Sequence, residues 1–366
     1  MISITRVLLA VLLPVLLAAA PKRKVIIDQD AFGPGGPNLQ PVLLVLQSPD
    51  VEVLGITVES GDGWQKENVA HTLRMLELIG RPEIPVVPGA TFPLVNSAEA
   101  TKRWEARHGK LFYKGAWTET WAPEVLVRRP QPHGPEVVPP LVEGDAQLKP
   151  LTETAAAFLV RKVREFPGEV SILAMGPMTN LALAQRLDDA FAAGAKEIVF
   201  MGGSFNPHAA DNAFALEYVY TPRLEFNFRW DPEAASAVLR APWRRIVQVP
   251  VDPSTRTLFT PVMIRQVAAA DTPVARYVAK WVESFPLWDE IAAAVWLEPA
   301  LVTRREMIAV NVDTAADSAG YGNTLSWPAG KGPGLGERDV EVVFDVDVPR
   351  LEKFVVVRLT AASSAK

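Results

Sequence analysis

The sequence predicts an α/β fold with a mostly parallel, open sheet that is flanked by helices. Short apolar segments rich in β-branched residues alternate with amphipathic segments over most of the chain. Strand, helix and strand follow one another as βαβ units, which produce parallel strands. Several apolar segments end in polar or glycine-containing turns, and open α/β sheets bind ligands beyond the carboxyl ends of their strands.

The composition indicates a large globular chain. It has 366 residues, of which 49% are hydrophobic, enough to bury a sizeable core. No stretch rich in proline, glycine and serine separates two cores, so we predict a single domain over residues 21–366. The net charge is -5 and basic residues form no stripe, so we expect no nucleic acid polymer as a partner.

Residues 1–20 have the pattern of a secretory signal peptide. Arg6 precedes an almost entirely apolar segment, and three alanines follow at residues 18–20. We therefore predict an exported protein, periplasmic or secreted after cleavage near Pro21. A membrane anchor is the alternative, but the apolar segment is shorter than the ~20 residues that a stable span needs. The absence of cysteine excludes a lipid-anchored lipoprotein and a disulfide framework.

The N-terminal part contains the clearest elements. Val69, Leu73 and Leu76 share one face of a helix, and Gly80 is suited to follow its last turn. The predicted elements here are, in order, a strand at 24–27, a helix at 39–46, a strand at 51–58, a helix at 67–79 and a strand at 84–89.

The alternation of strands and helices resumes after residue 150 and ends in a group of late strands. Asp231 and Pro232 are a suitable helix cap and first helical residue. The late strands predict a small peripheral antiparallel group near the C-terminus, and a glycine-rich loop at 320–336 lies between them. The predicted elements are helices at 152–166, 181–187, 275–285 and 290–296, strands at 169–174, 197–201 and 246–251, an extended segment at 224–228, and late strands at 307–312, 340–348 and 354–359.

Between these parts, residues 101–150 interrupt the pattern. This insertion is rich in tryptophan and proline and shows no clear periodicity. A structureless segment of this length within a domain is usually functional or flexible. Two interpretations remain open: a lid whose aromatic side chains stack on a ligand, or an insertion whose aromatic side chains pack against the body. They are Trp104, Tyr113, Trp117 and Trp121.

Polar groups collect at the predicted strand ends. Carboxylate, amide and backbone oxygens suit a hard cation such as Ca²⁺. Zinc is less favoured because the four histidines show no ligand spacing. The Gly-x-Ser-x-Gly, phosphate-loop and dinucleotide motifs are absent, which argues against serine hydrolases, kinases and dehydrogenases. The groups in question are Asp28, Asp30, Asp62, the turns at Met175 and Gly202, Glu225, Asn227 and Asp289.

Taken in order, these segments resemble the inosine–uridine-preferring nucleoside hydrolase family. The resemblance spans the chain from Lys24 onward. It implies a Rossmann-like domain with Ca²⁺ at the base of a pocket, cleavage of the N-glycosidic bond of ribonucleosides, and assembly as a dimer or tetramer. The segments that carry it are VIIDQD at 25–30, LGITV at 54–58 with GD at 61–62, PVVPGA at 85–90, AMGPMTNLA at 174–182, MGG at 201–203, EFN at 225–227, DPEAA at 231–235 and WD at 288–289.

The resemblance also implies roles for individual residues. Asp30 matches an aspartate that binds Ca²⁺ and acts as general base on the metal-bound water. Asp289 matches the late carboxylate ligand, and Met175 the residue whose backbone carbonyl binds the metal. The substrate-binding group comprises Asp28, which we expect to support the loop, Asp62, where the family usually has asparagine, Glu225 and Asn227, which match ribose-hydroxyl binders, and Trp288.

Two departures affect this interpretation. Pro37 and Asn38 align with two aspartates of the family, so Asn38 supplies a metal ligand without charge. Trp288 replaces a histidine and either stacks on the substrate or packs in the core. The leading hypothesis is a Ca²⁺-dependent hydrolase of a nucleoside or ribosyl compound. The alternatives are a catalytically impaired nucleoside- or sugar-binding protein and a surface interaction module that uses the insertion.

Overall fold

The computed structural model describes residues 21–121, 130–207, 221 and 223–362. The predicted signal peptide therefore lies outside the described residues. Within them, the strands form one sheet in the order β3-β2-β1-β4-β5-β6-β9-β7-β8. The strands are β1 (Arg23–Gln29), β2 (Val51–Val58), β3 (Val86–Pro88), β4 (Val170–Ala174), β5 (Glu197–Met201), β6 (Ile246–Val249), β7 (Val302–Val312), β8 (Thr324–Pro328) and β9 (Arg338–Val346).

The sheet is mostly parallel, as predicted. Strands β1 to β6 pair with one another in parallel and β9 pairs in parallel with β6, whereas β7 is antiparallel to both β8 and β9. The late antiparallel group thus extends the same sheet, because β9 pairs with β6. Strand β1 lies between β2 and β4, with Asp28 opposite Thr57 and Ala174. Its carboxyl end therefore opens at the middle of the sheet edge.

Helices cover both faces of the sheet and bury an apolar cluster on each. Ile27, Leu43 and Ala293 belong to one cluster, and Ile26, Phe158 and Leu239 to the other. The helices are α1 (Gln40–Leu46), α2 (Gln65–Leu78), α3 (Ala98–His108), α4 (Ala155–Glu165), α5 (Thr179–Leu187), α6 (Phe191–Gly194), α7 (Phe226–Trp230), α8 (Pro232–Arg240), α9 (Val251–Ser254), α10 (Pro261–Ala268), α11 (Pro273–Trp281), α12 (Asp289–Leu297) and α13 (Val348–Thr360).

Three predictions for the C-terminal half were wrong. The segment at 224–228 is largely helical, because Glu225 caps α7 by accepting bonds from its first N–H groups. The segment at 354–359 belongs to α13, whose Leu351, Val355 and Leu359 recur at helical spacing and are buried. The β-branched composition had favoured a strand, but packing decided otherwise. The glycine-rich loop contains β8, and helix α10 was not predicted at all.

The insertion at 101–150 is more ordered than predicted. Ser97 caps helix α3, which reaches into it and buries Trp104. A short 3₁₀ turn follows at Gly115–Trp117. Residues 122–129 of the insertion lie outside the described part of the chain.

Among the described helices, none combines the length and the apolar character that a membrane crossing requires.

Candidate active site

Asp28 is buried near the carboxyl end of β1, on the side of helix α5. Its Oδ1 accepts hydrogen bonds from the hydroxyl of Thr57 and from Asn180 Nδ2, the latter at 2.8 Å. Burial raises the pKa of Asp28 to about 6, although these hydrogen bonds oppose the shift. Asp28 therefore ties β1 to β2 and α5. Its expected role in supporting the loop after β1 stays a prediction.

Asp30 follows the last residue of β1 and lies at the centre of the site. Its Oδ1 accepts a hydrogen bond from Asn38 Nδ2 at 3.1 Å, and its Oδ2 accepts one from the backbone N–H of Asp62 at 2.8 Å. Gly61 and Gly176 pack so closely that a Cβ on either would overlap it; at Gly176 the Cβ would lie 2.6 Å from the Asp30 nitrogen. Two glycine turns thus enclose this carboxylate.

Gln29 connects Asp30 with Asp289, which is 260 residues away along the chain. Because strand side chains alternate between faces, Gln29 points away from Asp28, toward helix α12. Its Nε2 donates to Asp289 Oδ2 at 2.8 Å and to the carbonyl of Asn38 at 2.9 Å. Its Oε1 accepts from the Asp30 N–H at 2.9 Å. Asp30, Asn38 and Asp289 are therefore held in one buried group.

The electrostatics of this group are unfavourable without a cation. Burial, together with the charge of Asp62, raises the pKa of Asp30 well above its usual value. Burial, together with the charges of Asp30 and Glu290, does the same for Asp289. In the described part of the chain, no lysine or arginine is among the groups that shift these two pKa values. Such carboxylates need a proton or a cation.

A second group joins Met175, Asn227 and Glu225. Asn227 Nδ2 donates to the carbonyl oxygens of Met175 and Met201 at 3.1 and 3.2 Å. Both oxygens of Glu225 accept backbone N–H groups, those of Gly203, Asn227 and Phe228. A carbonyl oxygen has two lone pairs, so the Met175 oxygen retains acceptor capacity. The binding of ribose hydroxyls by Glu225 and Asn227 stays a prediction.

Asp62 and Trp288 flank the carboxylates from opposite parts of the chain. The charge of Asp62 raises the pKa of Asp30, Asp289 and Glu225, which places it beside both groups. Trp288 directly precedes α12, is half-buried and packs against the apolar cluster on that face. It is adjacent in sequence to Asp289, so the structure supports a packing role and leaves stacking on a substrate as a prediction.

The ligand atoms around Asp30 are of the kind that binds Ca²⁺, but they include fewer carboxylates than a high-affinity calcium site. All potential ligands are oxygens, as Ca²⁺ requires. Among the described residues, no partner lies within hydrogen-bond distance of the buried Oδ1 of Asn38, so this oxygen remains available. However, within the same residues no three histidine, cysteine or acidic side chains converge as a ready-made metal site. The family pattern has two aspartates where this chain has Pro37 and Asn38, so the sequence already predicted fewer charged ligands here.

The insertion borders the site. The N–H of Ala116 donates to the carbonyl of Gly61, beside Asp30, at 2.9 Å. Trp117 stacks on Trp230 of α7, with ring centroids 3.9 Å apart. Trp104 is buried and donates through Nε1 to the carbonyl of Ser318. These aromatic side chains therefore pack against the body of the protein, and a role as a lid stays a prediction.

The sequence pattern did not single out Gln29, Glu59 or Asn180. Glu59 is fully buried at the end of β2, and burial raises its pKa well above the usual value. Its Oε2 accepts the N–H of Asn180, whose side chain bonds Asp28. For Gln29 and Glu59, the signal available in the sequence was a polar residue inside or directly after an apolar strand. Their partners could not be read from the sequence, because they come from distant segments.

The chain matches a described protein family over nearly its whole length. The model of the family described as inosine-uridine preferring nucleoside hydrolase matches residues 25–353. A probable uridine nucleosidase 1 from Oryza sativa subsp. japonica is 29% identical over 351 residues, covering 91% of this chain and 95% of that protein. The pyrimidine-specific ribonucleoside hydrolase RihA of Salmonella enteritidis is 27% identical and covers 77% and 82% of the two chains.

Solved structures show the same fold. The plant nucleoside hydrolase PpNRh1 superposes with a TM-score of 0.70 at 25% identity, covering 93% of this chain and 100% of that one. An inosine-guanosine nucleoside hydrolase superposes with a TM-score of 0.68 at 22% identity, covering 94% and 99%. The Rossmann-like arrangement that the sequence suggested is therefore confirmed.

Proposed function

Because the chain belongs to the inosine-uridine preferring nucleoside hydrolase family, we propose that it hydrolyses the N-glycosidic bond of ribonucleosides or a related ribosyl compound. It is a hydrolase of N-glycosyl compounds. The observation that carries the proposal is the buried carboxylate group around Asp30 at the carboxyl edge of the sheet. This edge is where open α/β sheets bind small molecules.

Ca²⁺ is the cation that we assign to this group. Asp30, Asp289, the Asn38 Oδ1 and the Met175 carbonyl would hold it. Support comes from the raised pKa values of the two carboxylates and from the available oxygen of Asn38. When bound, Ca²⁺ supplies positive charge that makes an adjacent water more acidic.

Side chains of the protein carry out proton transfer, charge stabilisation and orientation of the sugar. Asp30 accepts a proton from the attacking water, because each of its two carboxylate oxygens accepts one hydrogen bond in the structure and retains a lone pair. Carboxylates near the sugar, including Asp62, stabilise the positive charge that develops on the ribose as the bond to the base breaks. Glu225 and Asn227, which bond the backbone at Gly203 and Met175, are the residues that we assign to the ribose hydroxyl groups, and several such contacts would orient the sugar.

The test is release of ribose by the purified protein. We expect ribose from at least one purine or pyrimidine ribonucleoside in the presence of Ca²⁺, and a loss of at least about 100-fold in kcat for Asp30→Asn, since general-base catalysis contributes about 10²–10⁴-fold. Asp317→Asn, an exposed aspartate, is the matched control. Absence of ribose release from every nucleoside by folded, Ca²⁺-loaded protein would reject the proposal.

One observation favours a second candidate, a nucleoside- or sugar-binding protein with impaired catalysis. Asn38 donates its amide to Asp30 where the family resemblance expects a carboxylate. This candidate predicts nucleoside or ribose binding by calorimetry without release of ribose. Export through a signal peptide at residues 1–20 and assembly as a dimer or tetramer also stay predictions.

A further inference from the structure

We infer that Gln29 is a positioning residue, whose single side-chain amide sets the relative placement of Asp30 and Asp289 for a shared cation. The inference rests on the proposed function, because it assigns Gln29 a role in the same site. Gln29 is fully buried, and its amide uses both its oxygen and its nitrogen there.

The amide of Gln29 makes three hydrogen bonds, in which the oxygen accepts and the nitrogen donates. Its oxygen can only accept, and it takes the N–H of Asp30. Its nitrogen can only donate, and it reaches both Asp289 Oδ2 and the carbonyl of Asn38. The amide thus fixes the backbone at Asp30, the backbone at Asn38 and the carboxylate of Asp289 at once.

The orientation of these bonds matters for the cation. Gln29 engages one oxygen of Asp289 and no side-chain oxygen of Asp30. It also holds Asn38 through its backbone, so that the Asn38 side chain is free to face Asp30. This neutral donor stabilises the charge of Asp289 without adding a positive charge that would compete with a cation.

Gln29 joins three segments that are far apart or differently structured along the chain. Asp30 leaves β1, Asn38 precedes α1, and Asp289 begins α12. Partners that orient metal ligands typically change metal affinity or activity by 10–100-fold when they are removed.

The experiment replaces Gln29 by methionine, which has similar length and neither donates nor accepts strongly. Ca²⁺ affinity is measured by calorimetry on metal-free protein, and kcat and KM are measured with saturating Ca²⁺. We expect Ca²⁺ affinity to fall by at least about tenfold and kcat to fall by a similar factor. Gln47→Met is the matched control, because Gln47 is also buried and donates to the carbonyl of Ala361, far from the carboxylates.

A purely structural role gives a different result. It would lower the melting temperature of Gln29→Met but leave Ca²⁺ affinity and kcat at the wild-type values, and this result would overturn the inference. Gln29→Asn is a second, milder variant in case Gln29→Met does not fold. Asparagine retains the amide, but its side chain is one methylene too short to reach Asp289 while it also bonds Asp30. It should also lose Ca²⁺ affinity, and wild-type affinity in this variant would count against the inference.

Failure of the proposed function is distinguishable from failure of this inference. If the wild-type protein binds no Ca²⁺ and releases no ribose, both are rejected. If the wild type does both and the two Gln29 variants behave like it, only the positioning role is rejected.

Discussion

At the scale of single residues, Asn38 is the side chain on which we expect the affinity of the proposed cation site to depend. Its amide donates to Asp30, and its Oδ1 is buried, with no hydrogen-bond partner among the described residues. An amide oxygen can bind Ca²⁺, but the affinity of calcium sites depends on the number of charged ligands. We therefore expect weaker Ca²⁺ binding here than at a site with an aspartate in this position.

Asn38→Asp should strengthen Ca²⁺ binding by about tenfold or more, which is about 1.4 kcal/mol per factor of ten. The same change should lower the melting temperature in EDTA, because the new carboxylate faces Asp30 without a cation between them. Calorimetry and thermal melts measure the two effects. Gln266→Glu, an exposed amide-to-acid change, is the control for net charge. Unchanged affinity in Asn38→Asp would mean that residue 38 does not contact the cation.

At the scale of elements, helix α2 connects the insertion with the loop after β1. His71 of α2 is hydrogen-bonded to Glu143 of the insertion, and its ring packs edge-on against Phe32 of the loop after β1. Glu67, one turn earlier, pairs with His133 of the insertion at 3.2 Å. The insertion is thereby attached to the same helix that supports one side of the site.

This attachment should depend on pH. Burial alone would lower the pKa of His71, but the hydrogen bond with Glu143 and the charges of Glu143 and Glu67 together outweigh burial and raise this pKa above its ordinary 6.5. Because the folded-state pKa is raised, the stabilisation is fully present below pH 6.5 and is lost as the pH rises through the folded-state value. Among the described residues, other titratable or charged groups near this contact include Arg74, His133 and Tyr277.

His71→Gln should lower the free energy of unfolding by about 3 kcal/mol at pH 6, because it leaves buried carboxylates without their cation. The difference from wild type should shrink as the pH rises above 6.5. Thermal melts between pH 5.5 and 8.5 measure it, with His108→Gln, an exposed histidine, as the control. A difference that stays constant between pH 5.5 and 8.5 would contradict this prediction, because His71 would then keep a single protonation state over the whole range.

At the scale of the whole molecule, the site joins parts that are far apart in sequence. Asp30 follows the central strand β1, Asp289 begins α12 on one face of the sheet, and Asn180 of α5 reaches Asp28 from the other face. A cation bound here would connect the N-terminal and C-terminal halves around the sheet edge. Such a ligand binds only the folded chain and therefore stabilises it.

Ca²⁺ should raise the stability of the metal-free protein by about 2.7 kcal/mol when present at 100 times its dissociation constant. Differential scanning calorimetry with Ca²⁺, Mg²⁺ and EDTA measures the shift. Asp289→Asn should reduce the Ca²⁺ shift, while Asp271→Asn, which alters a fully solvent-exposed aspartate, should retain it. Equal shifts for Ca²⁺ in wild type and Asp289→Asn would remove Asp289 from the ligand set.

The sequence alone determined the parallel α/β sheet and the position of Asp30 at a strand end. Local pattern suffices for this, because strands such as Val51–Val58 and Glu197–Met201 are short, apolar and bounded by turns. It also suggested the family and the weakened charge at Asn38. The family follows from the order of short motifs along the chain, and the missing charge follows from comparing the loop at Asn38 with the family pattern.

Only the tertiary structure decided what the polar residues contact. In the sequence, Gln29 simply lies between two aspartates, yet its side chain bonds Asp289, 260 residues later. Residues 354–359 looked like a strand, but docking of Leu351, Val355 and Leu359 into the core makes them helical. In both cases the partners come from distant segments, and long-range burial outweighs local propensity.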